Sequence, residues 1–139
     1  MNAAREMNGE LLVVEDDAEF VEDLLAMWSP PLPVARVSSG EEAYEYLRAE
    51  VPSLVLLDLN LPHYLAKDDD GEGLEILSYI RSSVGSDVPV IVVTRESSDE
   101  MRSHAVSLGV TDFIPKPLDV SSLENAVRGV MREHRGASS

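Results

Sequence analysis

Short apolar runs alternate along the chain with stretches whose apolar residues recur at helical spacing. Leu11-Leu12-Val13-Val14, Leu54-Val55-Leu56-Leu57 and Val88-Pro89-Val90-Ile91-Val92-Val93 are nearly unbroken apolar segments. Such runs predict strands covered on both faces, the kind a parallel sheet contains. Val34-Ala35-Arg36-Val37 is less apolar and fits a sheet edge, while Asp112-Phe113-Ile114-Pro115 predicts a short last strand. Phe20, Val21, Leu24, Leu25 and Trp28 form the apolar stripe of a first helix, with Asp17 as its N-cap and Trp28 in the core. Ser29-Pro30-Pro31-Leu32-Pro33 stops that helix. Ser38 to Glu42 opens a second helix that carries Ala43, Tyr46 and Leu47. Leu74, Ile76, Leu77 and Ile80 mark a third, followed by a loop over Ser82 to Asp87. The sequence Ser97-Ser98-Asp99-Glu100 caps a fourth, bearing Met101, Ala105 and Leu108 and closed by Gly109. Asp119 to Glu133 predicts the last, with Leu123, Ala126, Val127, Val130 and Met131 inward. Strand and helix alternate throughout, which predicts an α/β fold with helices on both faces of a parallel sheet.

Length and charge narrow the field. At 139 residues the chain is expected to be one domain over 11–133, with a disordered leader at 1–10 and a disordered tail at 134–139. There is no cysteine, so neither a disulfide framework nor a thiolate metal site is available. No apolar run approaches the ~20 residues needed to span a bilayer, and Met1 to Glu10 lacks a signal-peptide core, so a cytoplasmic location is expected. The formal net charge of −15 opposes binding to nucleic acid or to an anionic membrane, and suits a module that meets basic protein surfaces or cations. His63, His104 and His134 are scattered without metal-site spacing and read as surface residues.

The candidate chemistry lies where the apolar runs end. Open α/β sheets place their sites outside the carboxyl ends of the strands. Those ends deliver Glu15, Asp16 and Asp17, then Asp58, then Thr94, then Lys116. Carboxylates gathered in one crevice repel one another, and a bound cation relieves the repulsion. All-oxygen donors point to a hard ion, Mg²⁺ ahead of Ca²⁺ or Zn²⁺. A hydroxyl and an ammonium flanking a carboxylate suit a phosphoryl group, whose transfer depends on positioning and charge stabilisation. Asp58 is accordingly the candidate nucleophile, and Asp17 reads more simply as a helix cap.

Leu-Val-Val-Glu-Asp-Asp after the first strand, Leu-Leu-Asp-Leu-Asn-Leu-Pro after the third, Val-Val-Thr after the fourth and Asp-Phe-Ile-Pro-Lys-Pro after the fifth occur in order. With these motifs the chain resembles the receiver domain of bacterial two-component response regulators, of the stand-alone type, from about Leu11 to Met131. The resemblance implies a flavodoxin-like doubly wound sheet of five parallel strands in the order 2-1-3-4-5. It implies that Asp58 is the phosphoacceptor, and that Glu15, Asp16, Asp58 and the backbone carbonyl of Asn60 surround Mg²⁺. Lys116, whose bond to Pro117 is usually cis in the family, would contact the phosphoryl oxygens and pair with Asp58 beforehand. Thr94 would swing inward and Phe113 would follow as an aromatic switch. The implied partners are a histidine kinase or phosphotransfer protein and a downstream protein target. That target would be met through the fourth helix, last strand and last helix by a monomer or weak homodimer. No output domain is expected after the last helix, and so no DNA contact is expected. The chain would be a stoichiometric self-phosphorylating switch with slow autodephosphorylation rather than an enzyme.

Departures from the family pattern fall beside the site. Arg95 stands where a small residue is usual, and with Glu96 it is a candidate modulator of the phosphorylated state. His63 to Gly71 is mostly an insertion after Asp58, either a tolerated loop or a partner contact. Glu72-Gly73 stands in for the usual turn into the third helix. Rival readings are a degenerate receiver that binds partners without phosphorylation, and a haloacid-dehalogenase-type phosphatase. The second requires an acid two residues after the nucleophile, and Asn60 occupies that place.

Overall fold

The strands and helices of the computed structural model follow from two alternating sets of apolar residues; the structure describes residues 6–60, 73–95, 99–117 and 119–138. In chain order the elements are β1 (Leu11–Val14), α1 (Ala18–Met27), β2 (Val34–Val37), α2 (Gly40–Ala49) and β3 (Leu54–Asp58). There follow α3 (Gly73–Tyr79), β4 (Val90–Thr94), α4 (Asp99–Ser107), β5 (Asp112–Pro115) and α5 (Val120–Ser138). The five strands pair in parallel in the order β2-β1-β3-β4-β5, as the resemblance implies. Residues of β1, β3 and β4 are buried throughout, whereas β2, at one edge, is only partly covered.

Because successive side chains of a strand point to opposite faces, each strand feeds two cores. Leu12, Val14, Val55, Leu57, Val90 and Val92 face one way and pack under α2, α3 and α4 through Ala43, Leu47, Ile76, Leu77, Met101 and Ala105. Leu11, Val13, Leu54, Leu56, Ile91 and Val93 face the other way, under α1 and α5, against Val21, Leu24, Trp28, Leu123 and Val127. Both helix caps expected near the site are present. The Asp17 carboxylate accepts from the Phe20 N–H at 3.1 Å, and the Ser39 hydroxyl oxygen accepts from the Glu42 N–H at 3.2 Å.

The expected elements shift in several places. β4 starts at Val90 rather than Val88, since Pro89 has no N–H for the ladder. The loop expected from Ser82 begins instead as a π-helical turn, Ile80–Val84, closed by the Gly85 N–H on the Ile80 carbonyl at 2.8 Å. Within the expected leader, Met7 pairs with Val51, and the Tyr46 hydroxyl donates to the Glu10 carboxylate at 2.6 Å. α5 runs past the expected end at Glu133 to Ser138, as Glu133, His134 and Arg135 are ordinary helix residues. Gly109 takes a φ of 77°, the left-handed conformation that closes α4.

Candidate functional site

Strand register brings the predicted residues together. Val14 pairs with Leu57, so the next residues, Glu15 and Asp58, emerge side by side. Asp58 in turn pairs with Val93, one residue before Thr94. Thr94 pairs with Pro115, and the Lys116 N–H continues the ladder onto the Thr94 carbonyl at 2.8 Å. Glu15, Asp58 and Thr94 are 3%, 5% and 2% exposed, so three polar side chains are buried at one end of the sheet.

The Lys116 side chain reaches across this end. Its ammonium donates to the Glu15 Oε1 at 2.6 Å and lies 3.7 Å from the Asp58 Oδ2. The Phe20 ring, read from the sequence only as helix core, lies beneath it, with its centroid 4.4 Å from Nζ. Lys116 was expected to pair with Asp58; it is closer to Glu15. The Lys116–Pro117 bond is cis. Among the described residues, Glu15, Asp16 and Asp58 form a group whose carboxylate oxygens lie within 4.8 Å of one another. Burial pushes the Glu15 carboxyl above its usual pKa; Lys116 lowers it in part, and the Asp58 charge raises it further. Asp16 is raised by burial and then by the neighbouring Glu15 carboxyl. One ammonium therefore faces a surplus of carboxylate, and this donor set fits a divalent cation of the Mg²⁺ type.

Asn60 has a larger part than its sequence position suggested. Its N–H donates to the Asp58 Oδ1 at 2.9 Å. Its side-chain Oδ1 accepts from the Thr94 hydroxyl and, at 3.1 Å, from the Arg95 N–H. Gly73 opens α3 hard against β3, where an added Cβ would stand 2.5 Å from the Leu59 Cα and 2.7 Å from the Asp58 carbonyl oxygen. Only a glycine allows this approach.

The remaining candidates sit at the rim. Asp17 caps α1, and its other oxygen lies 3.9 Å from the Arg95 guanidinium, which is 70% exposed. Arg95, Asp17, Phe20, Lys116 and Pro117 line a cavity of ≈ 440 Å³ at the mouth of the site. Phe113 is half-buried against the core under α4, and the Arg102 guanidinium stands 4.5 Å over its ring. His104 is exposed on α4. Glu96, His63, the His134 side chain and the insertion at 63–71 lie outside the described residues.

A five-stranded parallel sheet with an acidic crevice at its carboxyl end defines a class, and the comparisons agree. The model of the response regulator receiver domain matches residues 11–128, and the chain belongs to that family. It is 34% identical over 133 residues to the probable transcriptional regulator ycf27 of Porphyridium aerugineum, a match covering 94% of this chain and 51% of that protein. It is 30% identical over 123 residues to the response regulator MprA of Mycolicibacterium vanbaalenii, covering 88% and 50%. The chain thus spans about half the length of the curated relatives it matches. A CheY-like receiver domain protein from Methanospirillum hungatei superposes with a TM-score of 0.79 at 21% identity, covering 95% of this chain and 99% of that one. The phosphorylated cyanobacterial phytochrome response regulator RcpA gives a TM-score of 0.63 at 32% identity, covering 88% and 91%. Receiver domains of two-component response regulators are switches in phosphorylation-based signalling.

Proposed function

We propose that the chain accepts a phosphoryl group on Asp58 from a histidine kinase or phosphotransfer protein. The observation that carries this reading is the buried Asp58 carboxylate, flanked by Glu15, Asp16 and the Lys116 ammonium at the end of β3. A carboxylate oxygen of Asp58 attacks phosphorus of a phosphohistidine. The O–P bond forms, the N–P bond breaks, and the imidazole leaves with the bonding pair and takes up a proton. Glu15, Asp16, Asp58 and the Asn60 carbonyl would hold Mg²⁺, which when bound would supply positive charge for the phosphoryl oxygens. Lys116 contributes a second cation, already within 3.7 Å of Asp58. The Thr94 hydroxyl and Phe113 then carry the change toward α4 and β5.

The domain is a stoichiometric switch with slow autodephosphorylation, acting over 11–133. Its partners are proteins, met through α4, β5 and α5 by a monomer or weak homodimer. A net charge of −15 disfavours nucleic acid, although longer relatives are named as transcriptional regulators. Among the described residues no helix is long and apolar enough to cross a membrane. Intact mass after incubation with a small phosphodonor and Mg²⁺ tests the reading. Wild type should gain one phosphoryl group and Asp58→Asn none; uptake by the variant would refute Asp58 as acceptor.

A further inference from the structure

Asn60 is bonded to Asp58 through its backbone and to the end of β4 through its side chain. Its N–H is committed to the Asp58 Oδ1 at 2.9 Å. Its side-chain oxygen collects the Thr94 hydroxyl and, at 3.1 Å, the Arg95 N–H. The Arg95 N–H identifies which amide atom faces it, because only the oxygen accepts. A hydroxyl and a backbone N–H converging on one oxygen form the kind of donor pair that an anionic oxygen also takes, and takes more strongly than a neutral amide. Thr94 is 2% exposed, so little solvent competes for its hydroxyl.

We infer that the Asn60 side chain is a latch: in the unphosphorylated chain its amide oxygen occupies the donors of Thr94 and Arg95, and a phosphoryl oxygen on Asp58 must displace it. Asn60 is thus a positioning residue acting through Thr94 and Arg95. The latch sets how readily the phosphorylated arrangement forms, and it rests on Asp58 being the phosphoacceptor. It also gives the end of β4 a defined resting state, with both donors satisfied, from which the switch departs. Asn60→Ala removes the acceptor. Asn60→Asp keeps an oxygen in place but adds a charge beside the acidic cluster.

Two measurements on the full chain test the latch. Amide hydrogen exchange, followed by NMR without any ligand, should be about tenfold faster at Arg95 in Asn60→Ala, as loss of a hydrogen bond worth about 1.4 kcal/mol requires, and close to wild type in Asn60→Asp. Titration with fluoroberyllate in Mg²⁺ should show affinity about tenfold tighter in Asn60→Ala and no tighter in Asn60→Asp. Unchanged Arg95 exchange in Asn60→Ala, or fluoroberyllate affinity that is unchanged or weaker there, overturns the latch. Wild-type protein that takes up no fluoroberyllate overturns the phosphoacceptor reading and the displacement step with it. The ligand-free exchange result still separates that failure from failure of the Asn60 contact itself.

Discussion

Lys116 and Arg81 are two cations drawn into the protein at opposite ends of the sheet, and their surroundings differ in kind. At the end where β4 and β5 begin, the Arg81 guanidinium donates to the carbonyls of Leu108 at 2.6 Å, Val88 at 2.8 Å, Gly109 at 2.9 Å and Gly85 at 3.3 Å. Burial lowers its pKa from the usual value. These hydrogen-bond partners are neutral dipoles at the end of α4 and before β4 that match the fork of donors, and the Asp87 carboxylate acts on the guanidinium only as a lesser, opposing influence on its pKa. At the other end Lys116 meets carboxylates that outnumber it, and burial first, with the neighbouring carboxylates adding to it, raises the pKa values of Glu15 and Asp16. A cation satisfied by carbonyls ties elements together. A cation outnumbered by acids leaves a charge imbalance that further positive charge can relieve.

The largest expected effect comes from breaking the first arrangement. Arg81→Met leaves carbonyls at four positions without this donor and should cost about 3 kcal/mol in urea unfolding. Mg²⁺ affinity should stay at the wild-type value; a loss of metal binding would show the two ends to be coupled. Gly73→Ala comes next. Its Cβ would meet the Leu59 Cα, just past β3, at 2.5 Å and the Asp58 carbonyl oxygen at 2.7 Å, so the start of α3 must move, at about 2 kcal/mol. Since the clash includes the Asp58 carbonyl, phosphoryl uptake should slow as well, and unchanged uptake would separate α3 from the site.

A smaller effect is expected in the pH dependence of stability. Raised pKa values mean that the folded chain binds the Glu15 and Asp16 protons more tightly than the unfolded chain does. Their contribution to stability is present below the ordinary carboxylate range and is lost as pH rises through the raised values. Glu42 is lowered by its bonds to Ser38 and works the other way, but it is fully exposed. In Mg²⁺-free buffer the melting temperature should therefore fall as pH is raised through that window, and Mg²⁺ should flatten the fall. A Mg²⁺-free profile without this slope would contradict the raised carboxyl pKa values that burial and the crowded acids produce. Arg95→Ala should do least, changing stability by under about 0.5 kcal/mol because its pair with Asp17 is exposed. Its effect should show instead in the decay of the phosphorylated state, and an unaltered decay would remove Arg95 from the site.

What the sequence made legible follows from range. Strands covered on both faces appear as unbroken apolar runs, so β1, β3 and β4 were readable, and the acids that follow β1 and β3 came with them. Asp17 was readable as a cap because its partner, Phe20, is in the next turn. The π-helical turn was not, because Arg81 finds its acceptors as far away as Leu108 and Gly109. Likewise only the Asn60 backbone was anticipated at the site, since its side chain meets Thr94, 34 residues on. Phe20 looked like plain core because nothing local announces an ammonium over its ring.

Asp58, among its unbalanced acids, is the group that we propose takes the phosphoryl. Borohydride reduction of the phosphodonor-treated chain, followed by peptide mass analysis, locates the modified residue, because reduction converts an aspartyl phosphate to homoserine. The expected result is homoserine at position 58 alone, formed with Mg²⁺ and absent without it. Homoserine at another acid would rule out Asp58 as the acceptor, and equal yield without Mg²⁺ would rule out a part for the cation.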